Sequence, residues 1–191
     1  MIRQRLGKDL LFFDGGMGTL LPETWNLTHS EEIYKIHRQY IEAGSDIILT
    51  NTFGANALKF HDDSCSLEEI IKAAVSHVKK AEREALLQTG DERKIYTALD
   101  VGPTGKLLKP MGDLEFETAY EAFKEVVILG EQAGADLIHI ETMSDTYELK
   151  AAVLAAKENT SLPVFATVIF DERKKLLTGA DVSSVVALLE G

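Results

Sequence analysis

Apolar positions along this chain fall into two alternating patterns. Short unbroken apolar runs at 10–13, 47–50, 95–99, 137–140 and 164–170 are each followed by a longer stretch. In the longer stretches apolar residues return every third or fourth position, the period of an amphipathic helix. The runs predict strands buried on both faces. The stretches predict helices over 30–43, 67–88, 115–133, 146–158 and 182–190. In the first of these Ile33, Ile36, His37, Tyr40 and Ile41 share one face, Glu31 and Glu32 suit the first turn, and Gly44 ends it. Tyr120, Phe123, Val127 and Gly130 make an ordinary core stripe on the third.

An internal echo supports this division. The segment Glu42-Ala43-Gly44-Ser45-Asp46-Ile47-Ile48-Leu49-Thr50-Asn51-Thr52 returns 90 residues later as Gln132-Ala133-Gly134-Ala135-Asp136-Leu137-Ile138-His139-Ile140-Glu141-Thr142. Each copy is a helix stop at glycine, an acid in the turn, and a buried strand. Apolar strands alternating with helices predict an α/β fold with a parallel sheet, because right-handed crossovers cover its faces. A doubly wound sheet and a (β/α)8 barrel share that alternation. The first strand–helix turn has glycines at 15, 16 and 18 but leucine at 21, so it lacks the G-x-G-x-x-G register of a dinucleotide site. The expectation is a TIM-type (β/α)8 barrel. Such a barrel takes about 250 residues, so a chain of 191 residues is expected to be one domain, 1–191, truncated after about five β/α units and incomplete at its C-terminus.

Composition narrows the class. No apolar stretch approaches the roughly 18 residues of a membrane span. The apolar run at 10–13 is too short for a signal-peptide core. A single cysteine, Cys65, excludes an internal disulfide and fits a reducing compartment. The net charge of −11 argues against a nucleic-acid surface, which needs excess Lys and Arg. A cytoplasmic enzyme acting on a small molecule, with neither nucleic acid nor membrane as partner, is the expectation.

In barrels of this kind the chemistry sits at the C-terminal ends of the strands. Those ends carry Asp14, Asn51, Asp100, Glu141 and Asp171. Asp171 opens the charged run Asp171-Glu172-Arg173-Lys174-Lys175, where a solvated turn accounts for it equally well. Asp14 and Glu141 follow unbroken apolar strands and would enter a partly dry mouth, where a carboxylate needs a cation. No Lys or Arg lies at any strand end, which points to the ammonium group of a ligand and counts against a Schiff-base aldolase. Gly15 and Gly16 allow close backbone approach, so their N–H groups suit a carboxylate. An ammonium clamp beside a carboxylate cradle describes an amino-acid site. His61, Asp62 and Cys65 do not have the spacing of a closed zinc site and read as a solvated loop. His29, His37 and His77 read as helix or loop residues, His139 as a barrel-lining strand residue, and Trp25 as a packed loop aromatic or a cover for the mouth.

These residues also carry a family likeness. Phe13-Asp14-Gly15-Gly16-Met17-Gly18-Thr19, Leu49-Thr50-Asn51-Thr52-Phe53-Gly54-Ala55-Asn56, Asp100-Val101-Gly102-Pro103-Thr104-Gly105 and Ile140-Glu141-Thr142 resemble the homocysteine S-methyltransferase family. They are most similar to the homocysteine-binding domain of cobalamin-dependent methionine synthases. The likeness runs through Glu148-Leu149-Lys150-Ala151-Ala152-Val153-Leu154-Ala155-Ala156 and Leu177-Thr178-Gly179-Ala180-Asp181, in family order across essentially the whole chain. The resemblance implies a barrel that binds homocysteine through its sulfur to zinc, where coordination makes the thiolate nucleophile. It places Asp14 and Glu141 near the substrate's amino group, and Gly15, Gly16, Thr19, Asn51, Thr52, Phe53, Asp100 and Thr142 around the same mouth. It implies methyl transfer from methylcobalamin recharged by methyltetrahydrofolate, with cobalamin- and folate-binding domains as partners. The family's zinc ligands are cysteines of later units, expected beyond Gly191, so the chain by itself is expected to lack zinc and turnover. Two alternatives stand beside this reading: a methyltransferase using betaine or S-methylmethionine, and a non-catalytic half-barrel that assembles through its open sheet edge. A lyase of the same fold has little support, since barrel phosphate sites commonly follow strands seven and eight.

Overall fold

The computed structural model describes residues 2–17, 21–90 and 93–190. A short helix α1 (Trp25–Thr28) and a longer α2 (Ser30–Ala43) precede strand β1 (Ile47–Leu49). Then follow α3 (Leu67–Thr89), β2 (Tyr96–Val101), α4 (Phe116–Ala133), β3 (Leu137–Met143), α5 (Thr146–Asn159), β4 (Val164–Val168) and α6 (Val182–Glu190). The four strands form one parallel sheet in chain order. The five long helices fall within a residue or so of the predicted ranges, because their ends are chemically marked. Gly44 and Gly134 stop α2 and α4 with φ of 110° and 97°, a conformation that favours glycine. Ser66 and Glu69 form a reciprocal capping box at the start of α3. The helix α1 lies where only a loop is predicted.

The predicted strand at 10–13 forms a single parallel bridge, Phe13 to Ile47, and no longer ladder. Leu10 is 83% exposed and Phe12 59% exposed, so the apolar run lacks the burial that would make it a full strand. Asp46 fastens it instead. The Asp46 and Ile47 N–H groups donate to the Phe12 carbonyl at 2.8 and 3.0 Å, and Phe12 N–H donates to Asp46 Oδ2 at 3.0 Å. The second copy of the echo repeats this device. Asp136 N–H donates to the Thr97 carbonyl at 2.8 Å, and Thr97 N–H donates to Asp136 Oδ2 at 2.9 Å. The repeated pattern within the chain is therefore a register lock, in which each turn acid docks the start of a strand on the extended segment before it.

Alternation divides the sheet into two faces. Ile48 packs toward α2 and α3, while Leu99, Ile138 and Ile140 join the core shared with α4 and α5. The opposite face gathers Ile47, Leu49, Tyr96, Ala98 and Leu137, covered by Ile2 and flanked by Phe13 and Phe165. A curved parallel sheet with helices outside and a filled inner face is part of a (β/α)8 barrel. Strand β4 is only partly buried, and Ile169, Val182 and Val186 beyond it are exposed. Among the described residues no helix is long and apolar enough to cross a membrane.

His37 tests the packing of α2. Its ring is fully buried, and neither nitrogen has a hydrogen-bond partner. Burial first, then nearby His77, pushes its pKa down from 6.5 to about 3. The folded chain therefore refuses a proton that the unfolded chain accepts below pH 6.5, and stability falls as the pH drops from there toward 3. His37→Leu is expected to remove about 2–3 kcal/mol of the loss between pH 7 and 4.5, read from urea unfolding at the two pH values.

Candidate functional site

The C-terminal ends of the strands enclose a cavity of about 140 Å³ lined by Gly16, Met17, Leu49, Phe53, Asp100, Glu141 and Thr142. This is smaller than the roughly 300–1,000 Å³ of drug-sized sites and suits a small metabolite. Larger clefts of about 440 and 400 Å³ lie at the other end of the strands and along β4, but their linings hold none of the buried carboxylates. Chemistry, and not size, marks the smaller space.

Asp14 sits at its edge, fixed by Leu49 N–H donating to Oδ2 at 3.1 Å and by its own N–H donating to the Ile47 carbonyl at 3.0 Å. Its Oδ1 is buried without a partner. Burial, opposed by those backbone bonds and reinforced by Glu141, raises its pKa to about 7. Asp100 is 5% exposed, and its Oδ1 is also unpartnered. Burial, then the charges of Glu141, Asp14 and Glu23, push its pKa well above the usual carboxylate range. Glu141 is more open and lies 3.6 Å from His139 Nε2. His139 packs against Phe13 with its ring tilted by 44°, 4.9 Å between ring centres. Among the described residues no lysine or arginine pairs with Asp14, Asp100 or Glu141. Burial and the neighbouring acids thus bias Asp14 and Asp100 toward their neutral forms beside the cavity.

Two predicted strand ends fall inside strands, because β2 runs on through Asp100 to Val101 and β3 through Glu141 to Met143. The ladder between β3 and β4 slips between Ile140 and Met143, where Thr142 has a φ of 66°. For a β-branched residue that conformation costs on the order of 1–3 kcal/mol. The slip changes which residues face inward. Glu141 and Thr142 both line the cavity, and Met143 turns outward into the helix-side core. Thr142 N–H, donating to Thr167 Oγ1 at 3.1 Å, holds the bulge.

The remaining predicted residues divide into lining and support. Gly16 lines the cavity, and a side chain there would meet open space. Gly15 packs against Tyr40, whose Oη would stand 2.7 Å from an added Cβ. Thr19 lies outside the described residues. Asn51 and Thr52 are buried behind the cavity. Thr52 Oγ1 donates to the Asp100 carbonyl at 2.7 Å, so Thr50 must be the donor in the 2.7 Å contact between the two hydroxyls. Thr50 Oγ1 in turn accepts from Asp100 N–H at 3.1 Å. Asn51 Nδ2 donates to the Pro22 carbonyl at 3.2 Å, and Asn26 Nδ2 donates to the Asn51 carbonyl at 2.7 Å. These bonds suspend α1 over the end of β1, and Trp25 there stacks on His29, away from the cavity lining. Asp171 forms an exposed turn, accepting from Arg173 and Lys175 N–H. Leu49, Met17 and Glu23 escaped the sequence reading. Leu49 was visible as the inward residue of its strand, whereas nothing local marks Glu23, which accepts from Gly54 N–H at 2.7 Å.

The fold is part of a (β/α)8 barrel, with a small carboxyl-bearing cavity at the C-terminal ends of its strands, where enzymes of this fold place their chemistry. Residues 11–191 match the family described as homocysteine S-methyltransferase, and the chain belongs to that family. It is 29% identical over 208 residues to a methionine synthase of Mycobacterium leprae, covering 98% of this chain and 17% of that protein. It is 30% identical over 206 residues to the methionine synthase of Mycobacterium tuberculosis, covering 97% of this chain and 17% of that protein. The chain thus spans about a sixth of the length of these relatives. The homocysteine methyltransferase MmuM of Escherichia coli superposes in its oxidized form with a TM-score of 0.87 at 23% identity, over 100% of this chain and 73% of that one. Its metallated form gives 0.85 at 22% identity, over 100% and 74%.

The likeness implies a zinc ion, and the described residues can be tested for ligands to it. Among the described residues no group of three or more His, Cys, Asp or Glu could hold a metal ion. Cys65 lines a separate cleft with His61, Asp62 and Asp63, before α3. The described residues do not fit a zinc ion.

Asp14 makes stability depend on pH. Above pH 7 it is ionised in both states and the cost of burying it is fully present; as the pH falls from 7 toward 3.8 the folded state takes up the proton first, and this cost is relieved. Asp14→Asn is expected to raise the unfolding free energy at pH 8 by on the order of 1–3 kcal/mol, with the gain shrinking toward pH 4, as measured by urea titration.

Proposed function

We propose that this chain binds L-homocysteine, with Asp14 and Glu141 holding its ammonium group, as the homocysteine-recognition part of a methyltransferase of the methionine-synthase type. The observation that carries this reading is the group of carboxylates around one small cavity with no protein cation among the described residues to balance them. A ligand ammonium supplies that charge in a poorly hydrated space, where it is worth far more than in water. Membership of the family selects homocysteine among ligands that carry an ammonium. Leu49, Met17 and Phe53 offer the apolar wall for its carbon chain and sulfur. The N–H groups of Gly15 and Gly16 are the candidates for its carboxylate, since neither donates to a protein group among the described residues.

In this reading the chain's residues bind and orient the amino acid, and the methyl donor arrives from outside the described cavity. Likeness to methionine synthases along nearly the whole chain favours a methylcobalamin donor over betaine or S-methylmethionine. Cobalamin- and folate-binding domains are then its partners. The chain alone is expected to recognise homocysteine without turning it over.

Isothermal titration of the 191-residue chain with L-homocysteine tests the proposal against 4-mercaptobutyrate, which lacks the amino group. L-Homocysteine is expected to bind at least about tenfold more tightly, and Asp14→Asn and Glu141→Gln each to weaken it about tenfold or more. Equal binding of the two compounds, or no binding of either, sinks the reading.

A further inference from the structure

Glu148 is a buried carboxylate outside the cavity, 3% exposed in the first turn of α5. Its Oε1 accepts from Thr104 N–H at 2.7 Å and from Thr104 Oγ1 at 2.6 Å. Thr104 lies in the loop Gly102-Pro103-Thr104-Gly105 that leaves β2. At the start of that loop Gly102 N–H donates to the Phe53 carbonyl at 3.1 Å. A Cβ added to Gly102 would come within 2.5 Å of the Phe53 carbonyl oxygen and 2.6 Å of its ring, so the ring lies directly on the glycine backbone. The Phe53 ring also meets Lys59 Nζ, 4.8 Å from the ring centre. Phe53 is a wall of the cavity.

We propose that Glu148 is a positioning residue for the site: through Thr104 it fixes the loop after β2, and through Gly102 it sets where Phe53 stands against the ligand. The proposal rests on the homocysteine reading only for the identity of that ligand. Its geometry is independent. A carboxylate this buried is costly, so its two hydrogen bonds to one residue make it a strong tether for the loop. Burial raises its pKa, the Thr104 bonds oppose that rise, and Asp145 and Lys59 act on it with opposite signs. Were Glu148 only a local staple between α5 and the loop, its loss would stop at Thr104.

Amide hydrogen exchange separates the two cases without any ligand. In Glu148→Ala the Thr104 and Gly102 amides are both expected to lose protection, Gly102 by about tenfold or more; Glu148→Gln, whose Oε1 still accepts both Thr104 bonds, restores it. Thr104→Ala removes only the hydroxyl bond and is expected to move Gly102 in the same direction by less, which keeps the test open if Glu148→Ala does not fold. Loss of protection at Thr104 with Gly102 unchanged overturns the proposal. With L-homocysteine, Glu148→Ala is expected to weaken binding about tenfold in the wild-type background and to add less than twofold to Phe53→Ala. Equal effects in both backgrounds also overturn it. A wild-type chain that binds no homocysteine counts against the functional reading alone, since the exchange result stands by itself.

Discussion

Asp14, Asp100 and Glu141 repel one another across a cavity in which, among the described residues, no protein cation answers them. The rest of the site can be read as the framework needed to hold such groups together. Burial favours the neutral forms of Asp14 and Asp100, and the charges of the neighbouring acids make their ionisation harder still. Asp14 is held by the backbone of β1, and Asp100 by the paired hydroxyls of Thr50 and Thr52 bonded to its own peptide groups. Threonines that look like ligand contacts in the sequence are thus spent on backbone. Their work is to keep a carboxylate in place that would otherwise turn toward water.

The bulge in β3 serves the same end by different means. A regular strand sends alternate side chains to opposite faces, so Glu141 and Thr142 should not share the cavity. One slip of register lets them, and it returns Met143 to the helix-side core, where an apolar residue belongs. The positive φ of Thr142 is the local cost, and the bond to Thr167 helps sustain it. Strain of this kind persists where the surrounding structure over-determines it.

Much of this organisation was legible in the residues. Helix limits followed from Gly44, Gly134 and the acids of first turns, and the echo around Asp46 and Asp136 gave the β/α repeat before its bonding was known. Asp14, Asp100 and Glu141 were visible as polar ends of apolar runs. What escaped depends on tertiary contact. The run at 10–13 has the composition of a strand, but strand formation also requires neighbours and burial. Asn51 and Thr52 have the polarity of binding residues, yet their partners are backbone groups of residues 22 and 100. A bulge leaves no periodic trace. Glu148 sits on a helix where a charged residue ordinarily faces water, and only the approach of Thr104 explains its burial.

The two ends of the cavity are therefore built on different principles. The charged end is expensive and local: strand backbone holds carboxylates that gain stability from an arriving cation. The apolar end is assembled from a distance, since in our proposal Phe53 owes its place to a glycine it packs against, a lysine over its ring and a carboxylate on α5. A ligand that carries an ammonium group but lacks a chain to lie on Phe53 engages only the first end. One with the chain but no ammonium leaves the carboxylates unbalanced, and discrimination is steepest there because the unsatisfied groups are buried. In the function we propose, recognition of the ammonium would set whether a ligand enters, and the placement of Phe53 which of the admissible amino acids stays.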